Sequence, residues 1–204
     1  MTPLRCIILL QFTTTFAAGQ LAHQSTRPSI PGQPEAMVRR LYREVVAHHP
    51  MGIPEGADMK LIKPYLSKPL LKKMDVARAC YDDYIRHHPD PNIKAPFGWP
   101  EDGLFSGGNE RGSPGSFHVE SVQPQKDGSF SVHVRLKYSE PYSSLPYWYV
   151  DVIVVQEEGH FVVDDVVYLK DENHLEESRL SQGLAAGCDG SRWVGYGEEQ
   201  NDSK

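Results

Sequence analysis

The chain has 204 residues, a formal net charge of -6 at pH 7, 39% hydrophobic and 24% charged residues. This length suits one domain with a single core and is short for two. The acidic balance argues against a general nucleic-acid binder, because affinity for a phosphate backbone depends on clustered lysine and arginine. We therefore expect one soluble globular domain and no nucleic-acid partner.

The N-terminus has the pattern of a cleavable signal peptide. Residues 1–5 carry one positive charge, and residues 6–18 form an uncharged, largely apolar run that is too short to span a bilayer comfortably. The small residues Ala17 and Gly19 occupy the two positions that a signal peptidase reads, so cleavage is expected before Gln20. A buried N-terminal strand is the alternative.

The predicted signal peptide is followed by a predicted leader. Residues 1–19 are assigned to the signal peptide, and residues 20–33, rich in Pro, Ser, Thr and Gln, to a flexible leader. Cys6 precedes the apolar run, so it cannot be the lipid-acceptor cysteine of a lipoprotein. We expect a periplasmic or secreted protein with no transmembrane segment after cleavage.

Two of the three cysteines, Cys80 and Cys188, remain after cleavage and enter an oxidising compartment. We predict that they form a structural disulfide, for which the chain-entropy estimate is about 4 to 5 kcal/mol. A thiol nucleophile or redox couple is the alternative, but the two cysteines lie far apart and lack the Cys-x-x-Cys spacing.

The domain opens with predicted helices. An amphipathic helix begins at Pro34 and stops at Pro50, a short helical turn covers Asp58–Lys63, and Ser67 suits the N-cap of a longer helix that ends before Pro89. The next 27 residues, 90–116, are dense in Pro, Gly and Asn. They are expected to form a long loop that is either functional or mobile.

The second half of the chain has the period of β-strands. Strict alternation and Val-rich runs predict two antiparallel hairpins, with strands at Phe117–Val122, Phe130–Tyr138, Tyr147–Gln156 and Phe161–Leu169. A short helix, Arg179–Ala186, follows. The predicted fold is a single α+β domain at residues 34–190, in which N-terminal helices pack on a curved four-stranded antiparallel sheet. Residues 191–204 are predicted to be a polar tail.

Four sequence runs resemble a bacterial family of exported domains, domain-of-unknown-function family 3828. They are WYVDVIVVQEEGHFVVDDVVYL at 148–169, LYREVVAHHPMGIP at 41–54, LFSGG at 104–108 and RLSQGL at 179–184. The resemblance implies a cone-shaped domain similar to the nuclear-transport-factor-two-like superfold. That superfold hosts isomerases, dehydratases, immunity proteins and binding modules, so it does not select a function. The family supplies no catalytic residues to carry over.

Three aspartates, Asp151, Asp164 and Asp165, are the candidate catalytic residues. A two-residue turn at Glu158-Gly159 would place Ile153 opposite Asp164 and Val152 opposite Asp165. Asp151 and Asp164 would then share one sheet face, with Asp165 on the other, and at least one carboxylate would be buried. A buried carboxylate with a raised pKa could act as a general base. We favour a structural role, with backbone amides or Arg39, Arg40 or Arg78 as partners.

Aromatic and histidine side chains provide further candidates. Tyr81, Tyr84, Trp148 and Tyr149 are predicted binding residues, the last two within an aromatic lip around Pro141–Pro146 that also contains Tyr138, Tyr142 and Tyr147. The pairs His48-His49 and His87-His88 could bind zinc, but they also suit the dipole at a helix C-terminus. We predict no metal and no cofactor, and a solvated His133.

Our leading hypothesis is an exported accessory or binding domain that contacts a protein or a cell-envelope component through the cone mouth or the long loop. The alternative is a small-molecule isomerase or dehydratase that uses one of the three aspartates as its base. A filled interior with paired aspartates favours the binding domain, whereas a ligand-sized interior cavity with an unpaired carboxylate favours the enzyme.

Overall fold

The computed structural model describes residues 33–90, 92, 94–107, 114–139, 146–170 and 176–196. The predicted signal peptide at 1–19, and the leader at 20–33 apart from Gln33, lie outside the described residues. Helices precede an antiparallel sheet along the chain, which confirms the predicted α+β class. Within the described ranges, no helix is both long and apolar enough to cross a membrane.

Local sequence signals set the ends of the helices. Pro34 lies in the first turn of the first helix, and His49 ends it in the left-handed conformation with φ 48°. The Ser67 hydroxyl accepts a hydrogen bond from the Leu70 amide at 3.0 Å, which confirms the predicted N-cap. The helices are α1 (Pro34–His48), α2 (Gly56–Ile62), α3 (Lys68–His87) and α4 (Leu180–Ala185), with 3-10 turns at Lys63–Tyr65 and Trp99–Glu101.

Among the described residues the main sheet has five strands, one more than predicted, in the order β1-β2-β3-β4-β5. They are β1 (Pro114–Pro124), β2 (Phe130–Tyr138), β3 (Tyr147–Glu157), β4 (His160–Tyr168) and β5 (Ser178–Arg179). The added strand β5 has two residues and pairs with Val167 and Tyr168 at the edge of β4. A pair so short has no periodicity for a sequence pattern to show.

A separate two-stranded hairpin, β6 (Cys188–Asp189) and β7 (Arg192–Trp193), follows α4. Strand β7 thus lies in residues 191–204, the segment that was predicted to be a polar tail. Trp193 packs against Tyr84 and Phe97, with ring centroids 5.5 and 4.8 Å apart. Tyr84 lies on α3, more than a hundred residues before Trp193, so the local sequence around Trp193 gives no sign of this contact.

One face of the sheet, called here the helix-covered face, contributes to the main core. On β2 and β3 the buried residues alternate with half-buried or exposed ones, as the period of two requires. Helix α1 contacts β1, β2 and β4. The fully buried side chains on these elements include Val38, Leu41, Tyr42, Val132, Val134, Leu136, Val150, Val152 and Val154. We call the opposite side of the sheet the open face.

The predicted pairing of β3 with β4 is correct near the turn and wrong beyond it. Glu157 pairs with His160 and Val154 with Val163, as a two-residue turn requires, but Ile153 pairs with Asp165 instead of Asp164. Asp164 is the extra residue of a β-bulge, and each residue after it changes face. Asp151 and Asp165 therefore share the open face, contrary to the prediction.

The long loop also differs from the prediction. Phe97, Leu104 and Phe105 are at most 4% exposed, and Leu104 and Phe105 belong to the main core. The segment between α3 and β1 thus supplies core side chains. Its Pro and Gly content indicates irregular backbone, which is compatible with burial where side chains or other backbone groups satisfy its polar atoms.

Candidate functional site

One end of the helix-covered face is closed by the segment Leu104–Ser106. Three aromatic side chains donate hydrogen bonds to its three consecutive carbonyls: Tyr42 to Phe105 at 2.5 Å, Trp148 to Ser106 at 2.6 Å and Tyr168 to Leu104 at 2.6 Å. Burial raises the pKa of both tyrosine hydroxyls, so they stay protonated and able to donate. Loop backbone therefore closes this end of the helix-covered face.

Asp165, the most buried of the three candidate aspartates, holds the start of α4. One carboxylate oxygen accepts the Ser181 amide at 3.0 Å, and the other accepts the Ser181 hydroxyl at 2.7 Å. The Arg179 guanidinium lies 3.8 Å away. The side chain is thus a helix cap with an ion-pair partner, and that partner is none of the arginines considered from the sequence.

Asp164 joins the bulge of β4 to the start of α3. Its carboxylate accepts a hydrogen bond from the Ser67 hydroxyl at 2.5 Å, and that hydroxyl in turn accepts the Leu70 amide. The Ser67 amide donates to the Val163 carbonyl at 2.8 Å. Asp164 therefore has no pairing partner on β3, and its side chain bonds the capping serine instead.

Asp151 lies on the open face and contacts His133, its direct neighbour on β2. The His133 Nδ1 and an Asp151 carboxylate oxygen are 2.6 Å apart. The Tyr149 ring stacks on the imidazole with 5.1 Å between centroids. His133 was expected to be solvated, but it is half-buried and paired. The β2–β3 connection is too long to predict register from a turn, so the sequence did not show this pair.

The four predicted aromatic binding residues lie in three different places. Trp148 is buried in the main core, and Tyr149 is exposed on the open face. Tyr84 is buried with Cys80 and Phe97 in a second, smaller core cluster. Tyr81 packs against the same cluster, is half-buried and lines two surface cavities. In the predicted lip, Tyr142 lies outside the described residues.

The larger of these two cavities, called here the Tyr81 cleft, has a volume of about 570 Å³. Its walls are the segment Met51–Asp58, the middle of α3 and the turn at Trp99–Pro100. The Gly52 amide donates to the Asp102 carbonyl at 2.9 Å and ties two of these walls together. Gly52 has φ 62°, and a Cβ there would come within 2.9 Å of the Pro100 carbonyl oxygen, so the approach requires glycine.

The charges of the Tyr81 cleft are predominantly negative. Arg78 donates to the Ile53 and Pro54 carbonyls and pairs with Glu55 at 3.1 Å, so its guanidinium is already engaged. The carboxylates of Asp58 and Asp82 have no ion-pair partner in the described part of the chain. The cleft thus presents two uncompensated negative charges beside aromatic rings.

Trp99 forms the aromatic wall of the cleft with Tyr81, at 5.6 Å between ring centroids. Its indole N–H is buried and is the one side-chain donor or acceptor of this kind without a hydrogen-bond partner among the described residues. A buried donor without a partner lowers the stability of the fold by about 1–3 kcal/mol. No sequence pattern singles out Trp99, Asp58 or Asp82, and the only signal is the unusual length of the loop that contains Trp99.

The histidine pairs have ordinary local partners. His48 lies 3.6 Å from Glu44, His87 contacts Asp83, and His88 stacks on Tyr84 with ring centroids 4.1 Å apart. Nowhere in the described ranges do three or more His, Cys, Asp or Glu side chains form a group that could hold a metal ion.

The predicted disulfide between Cys80 and Cys188 is present and joins α3 to β6. Comparisons with known proteins add no assignment to this geometry: no family model, no curated protein and no solved structure matches the chain.

Proposed function

We propose that the protein is an exported accessory or binding domain that contacts a protein or cell-envelope component through the Tyr81 cleft. The observation that carries the proposal is the contrast between two places in the molecule. Loop carbonyls close the end of the helix-covered face, and all three candidate aspartates have partners. The cleft is open and carries charge that nothing in the described chain compensates.

The chemistry of the cleft favours a partner with a basic group. A lysine, arginine or amine entering it would meet the carboxylates of Asp58 and Asp82 and could lie against the ring of Tyr81 or Trp99. Trp99 also carries an indole N–H that has no hydrogen-bond partner among the described residues. The resemblance to an exported bacterial family agrees with a binding role but does not choose the partner.

Export is supported by the disulfide, because such bonds persist in oxidising compartments. The cone-shaped superfold and the periplasmic or secreted location are part of the same proposal. Mass spectrometry of protein collected outside the cytoplasm tests it: we expect a chain that begins at Gln20 with Cys80 and Cys188 joined. An intact Met1 with free thiols would contradict export.

Charge reversal in the cleft tests the binding site. A photo-crosslinking residue at Met51, which is 43% exposed at the rim, should trap the partner in cells that export the protein. We expect Asp58→Lys with Asp82→Lys to abolish this crosslink, because the basic group would then be repelled. The control, Asp75→Lys with Glu177→Lys, makes the same charge change at exposed residues outside the cleft and should retain it. An unchanged crosslink in the cleft variant would refute the proposal.

A further inference from the structure

A further cavity, of about 360 Å³, lies between α3 and α4, and we call it the α3–α4 groove. Pro69, Lys72, Lys73 and Val76 line it from α3 at the i, i+3, i+4 and i+7 positions of one helix face. Its volume is within the range of about 300–1,000 Å³ for small-molecule pockets. None of its lining residues belongs to the Tyr81 cleft, so the groove is a separate feature of the molecule.

The interior of the groove is apolar. Leu184 and Ala185 line it from α4, and Cys188 continues the wall beyond that helix. Ser181 is the one neutral polar side chain in the lining, and its hydroxyl is already donated to Asp165 at 2.7 Å. A ligand would therefore gain little from polar groups deep in the groove and most from burying an apolar chain.

The charged side chains at the rim of the groove are all positive. Lys72 and Lys73 are both exposed, and the lining contains no carboxylate. Neither ammonium group has an ion pair or hydrogen bond within the described residues. Two cations without ion-pair partners therefore lie beside an apolar groove, although the net charge of the chain is -6.

From this combination we infer that the α3–α4 groove binds a small anionic amphiphile of the fatty-acid class. The apolar chain lies between Val76 and Leu184, and the carboxylate lies at the rim near Lys72 and Lys73. Each part of the ligand meets the chemistry that it requires: apolar walls for the chain and two hydrogen-bond-donating cations for the anion. This site is additional to the proposed partner cleft and does not depend on it.

Calorimetric titration of the folded, disulfide-bonded protein with sodium dodecanoate, below the concentration at which it forms micelles, tests the inference. We expect saturable binding at one site. Dodecyltrimethylammonium, which has the same chain and the opposite charge, should bind at least about tenfold more weakly, since it would meet two like charges. Equal affinity for the two amphiphiles, or no binding of dodecanoate, would overturn the assignment.

Variants separate the groove from general adsorption of a surfactant. Removing both rim cations with Lys72→Ala and Lys73→Ala should weaken dodecanoate binding about tenfold. The matched control, Lys60→Ala with Lys63→Ala, removes two exposed lysines elsewhere and should leave the affinity unchanged. An equal loss in both double variants would show that the anion responds only to net charge.

Two further measurements test the location and the source of the ligand. Val76→Trp should fill the groove and prevent binding while the protein keeps its thermal transition; retained binding would place the ligand elsewhere. Flotation with phosphatidylglycerol vesicles distinguishes a free amphiphile from a membrane. We expect the protein to stay unbound, and flotation that depends on Lys72 and Lys73 would replace the small-molecule site with a membrane-docking surface.

Discussion

Asp165 illustrates how a buried carboxylate that suggests catalysis in the sequence can be engaged in hydrogen bonds within the fold. It is 7% exposed and accepts hydrogen bonds from the amides of Val166 and Ser181 and from the Ser181 hydroxyl. These donors belong to β4 and to the first turn of α4. An oxygen that already accepts from the protein is poorly placed to take a proton from a substrate.

Asp165→Ala should lower the free energy of unfolding by about 1–3 kcal/mol, because the Ser181 amide and hydroxyl lose their acceptor. Urea denaturation monitored by circular dichroism measures this change. Asp75→Ala, at an exposed position on α3, is the control and should stay within about 0.5 kcal/mol of the wild type. A variant more stable than wild type would instead indicate a strained functional carboxylate.

The burial of one aspartate was predictable at the residue scale, but its partners were not. Alternating Val residues around Asp164-Asp165 predict a strand with at least one buried carboxylate. The partner Ser181 follows sixteen residues later, in a different element, so no local pattern connects the two. The same reason hides the contact between His133 and Asp151, which are eighteen residues apart.

At the scale of elements, the C-terminal hairpin depends on one covalent bond and one aromatic cluster. Cys80 is fully buried on α3 and bonded to Cys188, across a sequence separation of 108 residues. Trp193 lies over Gly187, where a Cβ would come within 2.1 Å of the indole ring. The hairpin β6–β7 therefore rests on α3 through the disulfide and through Trp193.

Cys80→Ala with Cys188→Ala should lower the free energy of unfolding by about 4 to 5 kcal/mol, since the bond closes a loop of more than a hundred residues in the unfolded chain. Chemical denaturation of the oxidised wild type and of the variant measures the difference. Trp193 fluorescence should also shift toward that of an exposed indole. A loss below about 1 kcal/mol would show that the hairpin is held mainly by its aromatic contacts.

Two glycine variants separate the packing from the bond. Gly187→Ala should displace Trp193 and change its fluorescence while the disulfide remains intact. Gly190→Ala is the matched control, because Gly190 also has positive φ but a Cβ there meets no atom within 4 Å. Equal fluorescence changes in the two variants would show that backbone strain, and not contact with Trp193, controls the hairpin.

At the scale of the whole molecule, two tyrosine hydroxyls inside the protein limit its stability at high pH. Burial raises the pKa of Tyr42 and of Tyr168, whereas an unfolded tyrosine ionises near its ordinary value of about 10. Above that value the unfolded state binds fewer protons than the folded state, so stability must fall as pH rises. Below about pH 10 the stabilisation that these two protonated hydroxyls provide is fully present.

The contribution of these two tyrosines to the free energy of unfolding should therefore be constant up to about pH 10. Above that pH it should decrease by about 1.4 kcal/mol per pH unit for each buried tyrosine. Urea titrations at pH 9, 10 and 11 measure the slope. Tyr42→Phe should remove one of the two contributions, whereas Tyr149→Phe, on the open face, should leave the slope unchanged. A slope that does not differ between wild type and Tyr42→Phe would contradict this origin.

The positions of the helices and most strands could be predicted from the sequence alone. Helix α1 follows from apolar spacing between Pro34 and Pro50, and α3 from the Ser67 cap. The disulfide followed from the count of cysteines that remain after Cys6. Each of these features rests on neighbours in the chain or on composition, so the amino-acid order is sufficient to predict them.

Only the tertiary structure decided the register beyond Asp164, the closure by Leu104–Ser106 and the walls of the Tyr81 cleft. At the bulge Asp164 accepts a hydrogen bond from Ser67, and the loop carbonyls accept hydrogen bonds from Tyr42, Trp148 and Tyr168. Such contacts join segments that are distant in the chain. They become favourable only once the sheet and helices have brought those segments together, and this is why no local pattern predicts them.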